Sequence, residues 1–90
     1  MYRLELTNQY LKDLKLARRR NFDESKLNQL IKLILSGEKI PKRFKNHILK
    51  DNFKGFYECH ITPDWLLIYS KQETIKLITL IRTGTHSDLF

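Results

Sequence analysis

The spacing of apolar residues predicts a short strand and then a helix at the start of the chain. Residues 2–6 alternate apolar and charged side chains, which is the period of a strand. Thr7 or Asn8 can cap a helix that continues to about Arg20, and we expect Asn21 to end it. The apolar stripe of this helix consists of Tyr10, Leu11, Leu14 and Ala17.

A second helix is predicted to follow closely and to end at a glycine. Asp23 is a favourable N-cap, and Gly37 can adopt the left-handed conformation that ends a helix. Because few residues separate the two helices, we expect an antiparallel helical hairpin. The apolar stripe of the second helix consists of Leu27, Leu30, Ile31 and Ile34.

Residues 38–53 are predicted to form an irregular, basic connection. Pro41 interrupts this segment and His47 lies inside it. A connection of this length in so short a chain is usually functional.

From residue 54 the pattern changes to period two, which predicts three consecutive strands. They cover residues 54–61, 65–70 and 75–82, with turn-forming residues between them. The second of these strands is almost continuously apolar, which is typical of a central strand buried on both faces. Residues 86–90 are predicted to form a short tail.

The order β-α-α-β-β-β predicts an α+β fold in which a helical hairpin packs on one face of a mostly antiparallel sheet. We expect residues 1–90 to form a single compact domain. No apolar run approaches the roughly 18 residues that a membrane span needs, and the charged N-terminus is unlike a signal peptide. A lone cysteine, Cys59, fits a reducing cytoplasm.

The positive charge is concentrated in two blocks. Lys and Arg number 17 against ten Asp and Glu, and residues 12–20 and 39–54 hold 11 of those cations with only two acids. Such blocks favour a track for nucleic-acid phosphates over a merely soluble basic surface, although that alternative stays open. The expected RNA contacts in these blocks are Lys12, Lys15, Arg19, Lys42, Arg43, Lys45, Lys50 and Lys54.

Aromatic residues accompany the second basic block. Rings among cations suit single-stranded RNA, because bases stack on them. Any one of these rings can equally belong to the core. They are Phe44, Phe53, Phe56 and Tyr57.

The predicted strand meander brings polar residues to one edge of the sheet. The end of the first strand of the meander, the turn after it and the end of the third strand share that edge. We therefore expect His60, Asp64, Arg82 and His86 to converge there. Glu58 shares a strand face with His60, and the position of His47 depends on its connection.

This set of residues suits acid–base chemistry on phosphate. An imidazole exchanges protons near neutral pH, and RNA cleavage needs a base, an acid and a cation beside the phosphate. Structural or simply exposed histidines are the first alternative. Zinc held by Cys59, His60 and either His47 or His86 is a second, but no zinc-ligand spacing is present and adjacent strand residues face opposite ways. We therefore expect no metal and no cofactor.

Two motifs give the chain a resemblance to a known family. They are H-x-x-P-D-W-x-L-I-Y at residues 60–69 and R-T-G-T-H at residues 82–86, accompanied by the Asn46-His47 stretch and Phe53-Lys54-Gly55-Phe56. Together they resemble the YafQ-like branch of the RelE/ParE superfamily, the toxins of bacterial type II toxin–antitoxin pairs. The resemblance covers nearly the whole chain and implies the RelE-like fold.

The resemblance implies a ribosome-dependent, metal-free endonuclease that cleaves messenger RNA and is covered by a cognate antitoxin. Phe90 matches an aromatic residue that supports substrate binding, and Arg82 is suited to stabilise phosphate. Glu58 stands where close relatives tend to carry Asp. The positions that match catalytic residues are His47, His60, Asp64 and His86.

Our hypothesis is that the 2′-hydroxyl attacks the adjacent phosphate. His86 acts as general acid and His60 as general base, tuned by Glu58 or Asp64. His47 and Arg82 stabilise the phosphate. Two alternatives remain: a ParE-like protein that inhibits DNA gyrase, and an RNA-binding protein of this fold without catalysis.

Overall fold

Five strands form one sheet in the order β1-β5-β4-β3-β2 in a computed structural model that describes residues 1–90. Three α-helices and one 3₁₀ helix, Lys42–Phe44, complete the fold. The α-helices are α1 (Asn8–Arg19), α2 (Glu24–Ser36) and α3 (His86–Leu89). The strands are β1 (Arg3–Leu6), β2 (His47–Ile48), β3 (Tyr57–Thr62), β4 (Trp65–Gln72) and β5 (Leu77–Gly84).

Strands β3, β4 and β5 form the antiparallel meander that the period-two pattern predicts. Strand β1 is the one parallel element and pairs with β5, placing Arg3 opposite Leu77. The predicted α+β class, with a helical hairpin against a mostly antiparallel sheet, is confirmed. Residues Trp65 to Tyr69 of β4 are all buried, as expected for a central strand.

The caps of both long helices follow the sequence signals. The Thr7 side chain accepts a hydrogen bond from the Tyr10 amide at 2.9 Å, and the Asp23 carboxylate accepts one from the Ser25 amide at 3.1 Å. Gly37 ends α2 with φ of +78°, the left-handed conformation that costs glycine little. The helices α1 and α2 therefore begin and end close to the predicted residues.

The main core lies between the helical hairpin and one face of the sheet. Apolar side chains of α1 and α2 pack there against buried residues of β3, β4 and β5. Leu11 does not join them: it is exposed, so its place in the predicted stripe of α1 was wrong, and buried Asp13 occupies that face. A smaller cluster on the opposite face is formed by Leu66, Ile68 and Leu89.

The structure differs from the prediction mainly in the connections. Residues 38–53 contain the 3₁₀ helix and the two residues of β2, elements too short to show a period. Strand β3 begins at Tyr57 because Phe53 and Gly55 adopt positive φ in a preceding turn. Strand β5 begins at Leu77, after Lys76, which also has positive φ. No helix is long and apolar enough to cross a membrane.

The predicted tail is in fact the short helix α3. Thr85 and Asp88 form a reciprocal capping box that starts this helix. Gly84 allows the close approach, since a Cβ there would lie 2.9 Å from the Asp88 Cβ. The helix begins with His86, so its cap decides where that imidazole lies.

Candidate active site

His86 is held by Asp64, which follows β3 at the turn into β4. One oxygen of the Asp64 carboxylate accepts hydrogen bonds from the His86 ring Nδ1 at 2.7 Å and from the His86 amide at 3.2 Å. These bonds lower the pKa of Asp64 below its usual value, with the side-chain bond contributing most. With Nδ1 donating to the carboxylate, Nε2 is the nitrogen left to meet a substrate.

An ion pair and a backbone hydrogen bond hold α3 itself. Arg20, at the end of α1, makes a two-point contact with Asp88 at 2.6 and 3.2 Å. The Thr85 amide donates to the same carboxylate at 2.9 Å. The Arg20 bond, then the amide bond, holds the pKa of Asp88 well below its usual range. A cation of the first basic block therefore fixes the helix that carries His86.

Glu58 is buried between two other imidazoles. Its Oε1 lies 3.3 Å from Nε2 of His60 and 3.4 Å from Nε2 of His47. Strand pairing explains the second distance, because β2 and β3 place His47 directly opposite Glu58. A buried carboxylate without a cation is costly, so the imidazoles are well placed to carry its counter-charge.

The backbone fixes the ring orientation of His47. Its Nδ1 lies 2.7 Å from the carbonyl oxygen of Lys45, a residue with φ of +49°. A carbonyl oxygen only accepts, so Nδ1 carries a hydrogen. The other ring nitrogen of His47, Nε2, lies 3.4 Å from the Glu58 carboxylate.

The three imidazoles lie in a row. The ring centroid of His60 is 6.5 Å from that of His47 and 5.7 Å from that of His86. His60 is half-buried between two exposed partners. We call this group the histidine edge; it consists of His47, Glu58, His60, Asp64 and His86.

Arg82 does not join the histidine edge. Its guanidinium makes a two-point contact with Asp13 of α1 at 2.7 and 3.2 Å, on the side of the sheet that carries the helices. The Thr83 amide donates to the same carboxylate at 3.1 Å. The guanidinium of Arg82 is therefore bound by a carboxylate of α1, and its expected place beside the imidazoles stays a prediction.

Asp13 was not predicted as a partner of Arg82. It is the one acid among the cations of residues 12–20. Its spacing carried the signal: Asp13 lies three residues after Tyr10 and four before Ala17, on the buried face of α1. An acid at such a position needs a partner, and Arg82 supplies one.

Aromatic rings extend the surface beyond α3. Phe90 is exposed and meets Phe53 edge to face, with ring centroids 5.8 Å apart. Phe53 and Phe56 pack against the small cluster on the face of the sheet opposite the helices. Phe44, by contrast, is part of the main core.

The cations that were expected to contact RNA are all exposed. Arg43 and Lys45 line a pocket of about 210 Å³ together with His60, so two of them adjoin the histidine edge. The Arg43 guanidinium lies over the Phe44 ring, 4.8 Å from its centroid. The exposed set is Lys12, Lys15, Arg19, Lys42, Arg43, Lys45, Lys50 and Lys54.

The geometry does not favour the zinc alternative. Cys59 is buried in the main core and its thiol donates to Asn46 at 3.2 Å, away from the histidine edge. Burial raises the pKa of this thiol to about 12, which disfavours the thiolate that zinc needs. The His, Cys, Asp and Glu side chains include no group of three arranged to hold a metal ion.

Comparison with known proteins identifies similar chains over the full length. A family model described as the bacterial toxin of type II toxin–antitoxin system, YafQ, matches residues 2–90. The mRNA interferase toxin YafQ of Escherichia coli K12 is 42% identical over 88 residues, which are 97% of this chain and 94% of the relative.

Solved structures give the same result. The crystal structure of the E. coli DinJ-YafQ complex contains a chain that superposes with a TM-score of 0.91 at 38% identity, covering 100% of this chain and 99% of that one. A metal-bound toxin from Helicobacter pylori superposes with a TM-score of 0.92 at 33% identity, covering both chains completely.

Proposed function

The chain belongs to the YafQ family of bacterial type II toxin–antitoxin toxins, and from this premise we infer that it is an mRNA interferase, an endoribonuclease that cleaves messenger RNA. One observation of this chain carries the mechanism that we propose. Three imidazoles lie in a row, each beside a carboxylate, at an edge bordered by exposed cations. This arrangement supplies an acid and a base on either side of a phosphate.

The proposed reaction starts with removal of a proton from the 2′-hydroxyl. Nε2 of His60 lies 3.3 Å from the Glu58 carboxylate, and we assign Nδ1 of the same ring as the base. The 2′-oxygen attacks phosphorus, and the bond to the 5′-oxygen breaks. Protonated Nε2 of His86 gives its proton to that oxygen, while Nδ1 stays on Asp64. The products are a 2′,3′-cyclic phosphate and a 5′-hydroxyl.

Positive charge beside the phosphate comes from His47 and from Arg43 and Lys45. Nδ1 of His47 is bound to the Lys45 carbonyl oxygen and Nε2 lies 3.4 Å from Glu58, so the position of this ring is fixed. Arg43 and Lys45 line the pocket next to His60. A direct role of Arg82 on phosphate stays a prediction, since it requires Arg82 to exchange Asp13 for the substrate.

We propose three macromolecular partners. The complex of the relative with DinJ supports a cognate antitoxin for this chain as well. Messenger RNA is the substrate, and the ribosome presents it, with the exposed cations of both basic blocks on RNA phosphates. The cytoplasm, where these partners occur, stays the predicted location.

The test is cleavage of a defined messenger RNA by the purified chain, with and without ribosomes, followed by mapping of the ends. We expect cyclic phosphate and 5′-hydroxyl ends in the presence of EDTA. Parallel reactions with copper or zinc are needed because a relative has been crystallised with metal. Activity only with metal would overturn the metal-free mechanism. Gyrase inhibition with intact RNA would favour the ParE-like alternative.

A further inference from the structure

A second pocket lies behind the segment that carries His47, on the face of the sheet that carries the helices. Its volume is about 520 Å³. The end of α2 and the segment after it form one wall, and side chains of β3 and β4 form the other. The histidine edge contributes no residue to it.

Lysines surround this pocket. Four exposed lysines line it against a single carboxylate, that of Glu38. Lys71 forms an ion pair with Glu73 at 3.2 Å, whereas the other three have no acidic partner within 4.0 Å. We call this site the lysine pocket, after Lys39, Lys42, Lys45 and Lys71. Unpaired cations around a concavity concentrate anions there.

Aromatic rings form its inner wall. The rings of Tyr57 and Tyr69 stack with centroids 5.5 Å apart and an interplanar angle of 18°. Tyr69 is buried and Tyr57 half-buried, so the accessible part of the pair belongs to Tyr57.

Asn46 provides a hydrogen-bond donor that has no acceptor within the protein. Its side-chain oxygen accepts from the Tyr69 hydroxyl at 2.7 Å and from the Cys59 thiol at 3.2 Å. Its amide nitrogen donates to no protein group, although Asn46 lines the pocket. This nitrogen is therefore free to donate to a ligand.

We propose that the lysine pocket binds one nucleotide of single-stranded RNA, with the base against Tyr57 and flanking phosphates on the lysines. Concave sites of this size hold small ligands of a few hundred cubic ångströms. Base–aromatic stacking with cations on the backbone is the way in which proteins bind single strands. The Asp and Glu side chains of an acidic peptide would use the lysines, but they carry no aromatic ring to stack on Tyr57.

Lys45 connects the lysine pocket with the histidine edge. It lines both the lysine pocket and the smaller pocket that contains His60. A single RNA strand can therefore extend from the reacting phosphate, past Lys45, to the lysine pocket. The inference rests on the proposed function in this respect, because the bound strand is the substrate RNA.

Fluorescence anisotropy with a short single-stranded RNA, 2′-O-methylated throughout so that it cannot be cleaved, tests the proposal. Lys39→Gln combined with Lys71→Gln should weaken binding about 10-fold and reduce the salt dependence by about 0.7 for each lysine. The matched control is Lys32→Gln with Lys76→Gln, two exposed lysines outside the pocket. Equal affinity of both double variants overturns the proposal.

A second pair of variants separates stacking from charge. Tyr57→Leu should weaken binding by about 5- to 100-fold, whereas Tyr57→Phe should bind as the wild type does. Equal binding by the Leu and Phe variants overturns the role of the ring. If the variant with both Lys39→Gln and Lys71→Gln keeps its affinity for RNA but loses affinity for a polyglutamate peptide, the pocket binds an acidic protein segment and the proposal is overturned.

Cleavage assays keep this inference apart from the proposed function. With ordinary RNA, the variants Lys39→Gln and Lys71→Gln together should raise KM and leave kcat unchanged, which supports the proposal. A lowered kcat with unchanged KM contradicts it. If the wild type binds RNA through the lysine pocket but does not cleave it, the proposed function is wrong, whereas RNA binding by the pocket is supported.

Discussion

The two ends of the histidine edge are built in different ways. At the sheet end, the Glu58 side chain is only 7% exposed and faces His60 and His47 at 3.3 and 3.4 Å. At the α3 end, the Asp64 side chain is 69% exposed and contacts His86 at 2.7 Å. Register within the sheet positions the first group, whereas hydrogen bonds and ion pairs near the surface position the second.

This difference separates fixed geometry from adjustable geometry. A charge in a buried site interacts strongly with its neighbours because little water screens it, so the sheet end is suited to hold the base and the phosphate. A surface pair is weak and screened by salt, so the contact between Asp64 and His86 is the more adjustable of the two. Substitutions at each end test this contrast.

His86→Ala should have the largest effect. It removes the proposed general acid, so cleavage should slow by about 10²- to 10⁴-fold. The ring is exposed, so the unfolding midpoint should not change. Single-turnover cleavage and thermal unfolding measure both quantities, with Ser87→Ala as the neighbouring control. A folded His86→Ala protein that cleaves at the wild-type rate would remove His86 from the chemistry.

Glu58→Gln should have the next largest effect. The amide keeps the shape of the side chain but removes the charge that faces two imidazoles. Misplacement of those rings should slow cleavage by about 100-fold. Glu5→Gln, at an exposed position on β1, is the control. A loss as small as that of the control would show that the charge of Glu58 has no role in positioning the rings.

Asp64→Asn should have a smaller effect on rate. The amide oxygen still accepts from Nδ1 of His86, and an exposed charge pair contributes little, so cleavage should slow by no more than about fivefold. The effect should decrease further as salt rises, since exposed charges are screened. Cleavage rates at low and high salt measure it. A loss larger than that of Glu58→Gln would reverse the contrast between the two ends.

The contrast also explains how much of the site the sequence predicts. The alternation in β3 and the meander bring His60 and Asp64 to the edge reached by His86, because strand period and short turns are local signals. The same signals predict the central strand and the helical hairpin. The family motifs indicate which of the residues at this edge match catalytic positions.

The rest depends on long-range contacts that leave no local pattern. The position of His47 follows from two residues of β2 paired with β3. The pair of Arg82 with Asp13 joins residues 69 positions apart, and it binds the side chain of a predicted phosphate ligand. A four-residue helix is too short to show a period, so the sequence predicts only a tail where α3 forms.

Asp88→Asn should have the smallest effect, and it acts on stability. The Arg20 bond, then the Thr85 amide, lowers the pKa of Asp88 below its ordinary value of 3.8. A lowered folded-state pKa stabilises the fold above the ordinary value, and this contribution is lost as pH falls through the folded-state value. The variant should therefore unfold about 1 kcal/mol more easily near neutral pH.

The difference between Asp88→Asn and wild type should close as pH falls below about 4, because the unfolded wild-type chain then binds a proton at Asp88 more readily than the folded chain does. Urea unfolding along a pH series measures it. Asp51→Asn, at an exposed acid without an ion pair, should show no difference at any pH. A difference for Asp88→Asn that stays constant with pH would mean that packing against Gly84, and not the charge of Asp88, holds α3 and its imidazole at the edge.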